Sequence, residues 1–169
     1  MSIGQGNSPA GWRSARPFMP AGYGLKPVSE GSLVPWEHII SRLQQARNYW
    51  ISSVSPRGRA HAMPVWGLWD EGRFVFSTDP ASRKASNLKA RPLVVVHLES
   101  GDEVVIVEGE AMRVDDPDWL RALEEKYAAR YGYPLSGGTV FQVTPRRVFA
   151  WDEAGFPSTA TKWERAEDS

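Results

Sequence analysis

Hydroxyl, cationic and amide side chains crowd one short stretch of the chain: Ser77, Thr78, Ser82, Arg83, Lys84 and Asn87. Asp79-Pro80 follows a run of β-formers at Phe74, Val75 and Phe76, and reads as an N-cap with proline at the first helical position. The spacing therefore predicts a strand, a sharp turn and a helix over 81–90, with Pro92 as its stop. Arg83 and Lys84 fall in the first turns of that helix, whose N-terminus already carries about half a positive charge. Cations there are unfavourable unless an anion sits among them. Ser82 and the free backbone N–H groups supply the rest of a phosphate or carboxylate cradle. The alternative is a solvated basic helix on an ordinary surface.

The remaining acid, base and nucleophile inventory is thin. His38, His61 and His97 have no metal-type spacing, and no metal site is expected. His97, inside an apolar run, reads as a core histidine. His61 shares a strand with Pro64, where a cross-strand structural role competes with a functional one. Glu99, Asp102 and Glu103 surround a turn and face solvent. No Ser/His/Asp order, nucleotide-binding glycine loop or zinc motif is present, so no catalytic residue is assigned. An enzyme built this way takes its reactive chemistry from a cofactor. A planar, phosphate-bearing cofactor would use Ser82-Arg83-Lys84, backbone at an irregular strand over Met63-Pro64-Val65, and an aromatic wall at Trp66 or Trp69.

Composition narrows the classes. Among 169 residues, 20 acidic and 20 basic side chains cancel, so no global field draws the chain to nucleic acid or an anionic membrane. With no cysteine, disulfides, thiolate metal sites and a cysteine nucleophile are excluded. The lack of a spanning apolar run and of a signal-peptide core points to a cytoplasmic protein. Eight tryptophans suit a packed core and, for some, the wall of a flat ligand's site.

Residues 1–31 are rich in glycine, proline and serine and read as a flexible or draped extension. A cofactor-binding domain follows over 32–165, and 166–169 form a tail. Trp36, Ile39, Ile40 and Leu43 recur at helical spacing over 35–46. Residues 49–54 and 60–69 read as a hairpin around Pro56-Arg57-Gly58, with Pro64 demanding an edge or a bulge. Strands are expected at 74–77, 93–98, 104–107, 139–143, 147–151 and 159–164, and a helix from Asp116-Pro117 to Tyr131. The runs at 93–98 and 104–107 are apolar on both faces, which requires barrel interior on one and a helix or a second subunit on the other, a first hint of a homodimer. Strands adjoin strands, so the expected class is mainly β (α+β): a split β-barrel of six to seven strands with helices packed on it.

Between Arg59 and Arg113 the order of features resembles the flavin- and deazaflavin-binding split-barrel family that includes pyridoxamine 5′-phosphate oxidase. FSTDPASRKASNL over 76–88 is the more specific match, and Val107-Glu108-Gly109 is a second. The resemblance implies that Ser82, Arg83 and Lys84 hold the cofactor phosphate. It likewise implies that Met63, Pro64, Val65 and Trp66 lay backbone along the ring system, that Ser77 and Thr78 lie near the ribityl chain, and that Asn87 completes the pocket. It implies a homodimer with cofactor at the interface.

An arginine and a lysine that pyridoxamine phosphate oxidases place in the 59–66 strand are not both recoverable. The chain also ends in TKWERAEDS instead of their arginine-rich substrate motif, so vitamin B6 oxidation is not expected. Pro64-Val65-Trp66-Gly67 looks like the branch that binds the deazaflavin F420, whose longer anionic tail suits Arg57, Lys89 or the N-terminal extension. The expectation is an F420-dependent oxidoreductase that passes hydride to a conjugated small molecule. The alternatives are an FMN-dependent flavoprotein of the same fold and a non-catalytic cofactor or heme/tetrapyrrole binding protein.

Overall fold

The computed structural model describes residues 9–166; residues 1–8 of the expected extension and 167–169, within the expected tail, lie outside the described residues. Nine strands are described, all in one sheet, with three helices of eight or more residues and a four-residue helix. The chain divides into two compact units. One takes the described residues up to Ala46, His97–Val107 and those from Arg146 onward; the other takes Arg47–Val96 and Glu108–Pro145.

In the first unit β1 (Trp12–Ala15) pairs antiparallel with β9 (Thr161–Arg165), which pairs with the end of β8 (Thr139–Asp152). Low periodicity gave no warning of β1, because a four-residue strand with two polar positions carries almost no pattern. Arg16, which follows it, donates to the carbonyls of Ala160 (2.8 Å), Ser158 (2.7 Å) and Lys26 (3.0 Å). Helix α1 (Trp36–Gln45) buries Ile39 and Leu43, two members of its predicted stripe. Trp163 packs edge-on against Trp36 at 5.4 Å and donates its indole N–H to the Val34 carbonyl. Arg42 of the same helix bonds Asp152 at 2.6 Å.

The second unit contains the predicted site. β2 (Tyr49–Val54) and β3 (Ala60–Val65) form the expected hairpin, with Tyr49 opposite Val65 and Trp50 opposite Pro64. β3 ends the strand order, which agrees with Pro64: an end strand has no second neighbour to be deprived of an N–H donor. The expected strand over 60–69 breaks at Trp66-Gly67 into β3 and β4 (Leu68–Asp70). A Cβ on Gly67 would run into the Phe74 ring and lie 2.8 Å from the Val75 carbonyl oxygen, so the break rests on a glycine at a close approach. β4 returns through Glu71-Gly72, both at positive φ as a two-residue hairpin loop requires, into β5 (Arg73–Thr78).

Where two strands were expected over 139–151 there is one, β8. It pairs with β5 before Pro145 and with β9 after it, so the residue without an N–H falls where the strand changes partner. β6 (Leu93–His97) and β7 (Glu103–Arg113) complete the set of strands. Leu68, Val75, Val114, Leu135 and Val140 form a buried cluster with Leu123 and Tyr127 of α3 (Pro117–Tyr131), while Tyr49, Phe74, Phe76 and Phe141 pack ring against ring in succession at 4.6–5.9 Å, the first pair tilted and the other two stacked. Those aromatic contacts anchor β5, the strand that leads into the Thr78–Ser82 turn, in the core.

Candidate cofactor site

β5 ends at Thr78 and α2 (Arg83–Ala90) follows. The helix starts two residues later than the sequence predicts. Its N-cap is Ser82, not Asp79: the Ser82 Oγ accepts from the Ala85 N–H at 3.1 Å, whereas Asp79 Oδ1 accepts from the Ala81 N–H at 2.7 Å and closes a local turn. Both residues are good caps, and the tertiary fit of α2 decides between them. Thr78 Oγ1 and Ser82 Oγ lie 3.1 Å apart, which ties the end of the strand to the start of the helix.

Arg83 and Lys84, alike in sequence, separate in space. Arg83 is exposed and Lys84 is buried, with 9% of its surface accessible. The Lys84 ammonium sits 5.7 Å from the centroid of the Phe76 ring and has no carboxylate partner or hydrogen bond among the described residues. Burial lowers its pKa below the usual lysine value. A largely buried lysine without a carboxylate partner, beside a hydroxyl cap and a helix start, has the chemistry to hold an anion. This arrangement fits a phosphate-bearing cofactor.

Asn87, one turn further on, is buried and donates through Nδ2 to Ser53 Oγ at 3.1 Å. Ser53 belongs to β2 and was not anticipated as a site residue, although the alternation of YWISSV places its polar side chain on the buried face. It stands opposite His61, whose Nδ1 is buried without a hydrogen-bond partner. Thr78, Ser82, Lys84 and Asn87 are thus assembled along one side of α2, which Asn87 fastens to β2.

Met63, Pro64, Val65 and Trp66 form a second group one strand further out. Met63 and Pro64 are exposed, and Trp66 stacks on Tyr131 with ring centroids 4.9 Å apart and planes within 7°. Of the two tryptophans considered for an aromatic wall, Trp69 is buried and belongs to the core, leaving Trp66. Ser77 is held beneath Gly138: a Cβ there would come to 2.5 Å from the Ser77 Oγ and 2.8 Å from the Thr78 carbonyl oxygen. Gly138 also lines a groove of about 390 Å³ together with Arg113, Val114, Leu120, Leu135 and Val140. Gly109 of the Val107-Glu108-Gly109 triplet has a packing role, since a Cβ would come to 2.5 Å from the Thr144 carbonyl oxygen. Arg57 and Lys89 are both exposed.

The family described as pyridoxamine 5′-phosphate oxidase matches residues 36–152, which include the cradle, the hairpin and most of the sheet. The chain belongs to this family. Among solved structures of the same split-barrel fold, a conserved hypothetical protein from Mycobacterium tuberculosis is 24% identical, over 70% of this chain and 85% of that one, with a TM-score of 0.64. An F420 reductase is 25% identical over 64% of this chain and 93% of that one, with a TM-score of 0.51. The heme storage protein HutZ from Vibrio cholerae, 15% identical over 68% and 93% with a TM-score of 0.59, shares the fold alone. No curated protein sequence matches the chain. The α+β split barrel expected from strand order is therefore the family fold. In this family member, as described, no helix is long and apolar enough to cross a membrane.

Proposed function

We propose that this family member is an F420-dependent oxidoreductase that transfers hydride from the reduced deazaflavin to a conjugated small-molecule acceptor, working as a cytoplasmic homodimer with cofactor at the interface. The observation that carries the reading is Lys84, a largely buried lysine at the start of α2 with no carboxylate partner among the described residues. Ser82 and Lys84 would hold the cofactor phosphate, with Arg83 at its solvent side. Asn87 would complete the pocket, and Ser77 and Thr78 would lie along the linking chain. The unpaired edge of β3 at Met63–Trp66 would offer backbone groups to the polar rim of the ring. When bound, the cofactor supplies the hydride. The protein's part is alignment at near-attack distance and exclusion of water, which needs no protein nucleophile and agrees with the sparse acid–base inventory.

The preference for F420 rests on Pro64-Val65-Trp66-Gly67 and on the likeness to a protein described as an F420 reductase. FMN would use the same phosphate cradle, and it is the second reading. Titrating the protein with F420, FMN and heme, then assaying hydride transfer with whichever binds, tests both. Tight FMN binding without F420 binding would overturn the first. Binding of heme alone would overturn both.

A further inference from the structure

Tyr131, the last residue of α3, spends its hydroxyl on backbone. It accepts from the Gly67 N–H at 3.2 Å and shares its proton between the carbonyl oxygens of Gly67 (2.8 Å) and Arg47 (2.9 Å). Arg47 precedes β2, Gly67 follows β3, and Tyr49 pairs with Val65, so this one hydroxyl closes the open end of the hairpin. The Tyr131 ring lies flat on Trp66, and the Arg47 guanidinium sits over both rings, 5.4 Å from the Trp66 centroid and 5.8 Å from that of Tyr131. On its other side Gly67 is pressed against Phe74 and the Val75 carbonyl, with no room for a Cβ. Trp66-Gly67 is therefore held from both sides. β3, by contrast, ends the sheet and is exposed at Ala62, Met63 and Pro64.

We propose that Tyr131 is a positioning residue for the cofactor: through Gly67 and Trp66 it fixes the backbone edge of Met63–Trp66 against which the planar ring system lies. The proposal rests on the cofactor reading above. An end strand is held by backbone hydrogen bonds on one side only, whereas recognition of a ring by backbone donors and acceptors tolerates displacements of only about half an ångström. The hydroxyl lock supplies the missing constraint from an element that carries none of the predicted cofactor-binding residues.

The test compares wild type, Tyr131→Phe and Tyr127→Phe, each titrated with F420 and with FMN while the visible absorption band of the bound ring is recorded. Tyr127 packs on Tyr131 at 4.7 Å and serves as the control for a hydroxyl lost from the same cluster. Tyr131→Phe should keep the aromatic stack, bind whichever cofactor wild type takes about tenfold less tightly, and shift its absorption band. Tyr127→Phe should leave both readouts at the wild-type values. Wild-type affinity and spectrum in Tyr131→Phe would overturn the proposal, as would equal losses in the two variants. If wild type binds neither cofactor, the functional reading itself fails and the proposal with it. Should Tyr131→Phe not fold, hydrogen exchange on wild type decides: the Gly67 amide should gain protection when cofactor binds, and an unchanged rate would overturn the positioning role.

Discussion

Lys84 concentrates the energetics of the site in one side chain. Its side chain is largely buried and its ammonium is partly desolvated, a cost that the Phe76 ring offsets only in part. Because its pKa is lowered on folding, the folded protein gives up this proton at a lower pH than the unfolded chain does. Lys84 thus lowers stability most when it must stay charged, and the penalty shrinks as pH rises from its depressed pKa toward the usual lysine value. Lys84→Met should accordingly raise Tm in the absence of cofactor near neutral pH and lose that advantage at alkaline pH, as scanning calorimetry across pH would show. The same substitution should weaken cofactor binding about tenfold to a hundredfold, corresponding to about 1.5 to 3 kcal/mol for a charge-assisted contact. Wild-type affinity should fall as pH rises through the Lys84 pKa, since the anion requires the protonated form. Arg83→Ala, at an exposed position, should cost less than Lys84→Met. Sequence marked both cations as candidates; burial, which distinguishes them, depends on how α2 lies against Phe76 and is invisible in the triplet itself.

The junction of β5 and α2 determines where those residues stand. Ser82 caps the helix and meets Thr78, so Ser82→Ala should destabilise the protein by about 1 kcal/mol, measured by urea unfolding. Asp79→Ala removes only a local turn contact and should cost less. If the two losses were reversed in size, the assignment of the cap would be wrong. On the other side of β5, Gly138→Ala should cost roughly 1–3 kcal/mol, because the added carbon presses on Ser77 and Thr78. Its effect on cofactor affinity would report how far Ser77 and Thr78 shape the pocket. The strand, the turn and the helix were legible here because β-formers, Asp-Pro and small apolar spacing each leave a local signature. The two-residue error at the helix start arose because Asp79 and Ser82 are both competent caps, and local sequence does not rank them.

At the scale of the whole molecule, exposed apolar side chains bear on the proposed homodimer. Leu93 and Met112 are 63% and 57% exposed, and they lie close together, because the Ala111 N–H donates to the Pro92 carbonyl at 2.8 Å. Large exposed apolar residues on adjacent strands suit a subunit interface better than open water. Light scattering should give twice the chain mass, and Leu93→Glu combined with Met112→Glu should give a monomer that keeps its circular dichroism. A dimer that survives both substitutions would place the interface elsewhere. The expectation that 93–98 and 104–107 are apolar on both faces came from composition alone. Leu93 shows its limit: one face of the run is buried at Val94 and Val96, while Leu93 itself is open in the single chain.

By itself the sequence determined the strand-rich class, the hairpin whose second strand contains Pro64, the helix after Thr78 and the chemical character of Ser82-Arg83-Lys84, because periodicity, proline geometry and charge act over a few neighbouring residues. Tertiary structure alone decided that Lys84 and not Arg83 is buried and that Ser53 meets Asn87. It also decided that Gly67 is clamped by Tyr131 and that β8 runs unbroken through Pro145. Each of these depends on which distant backbone a side chain meets, and no local pattern encodes that.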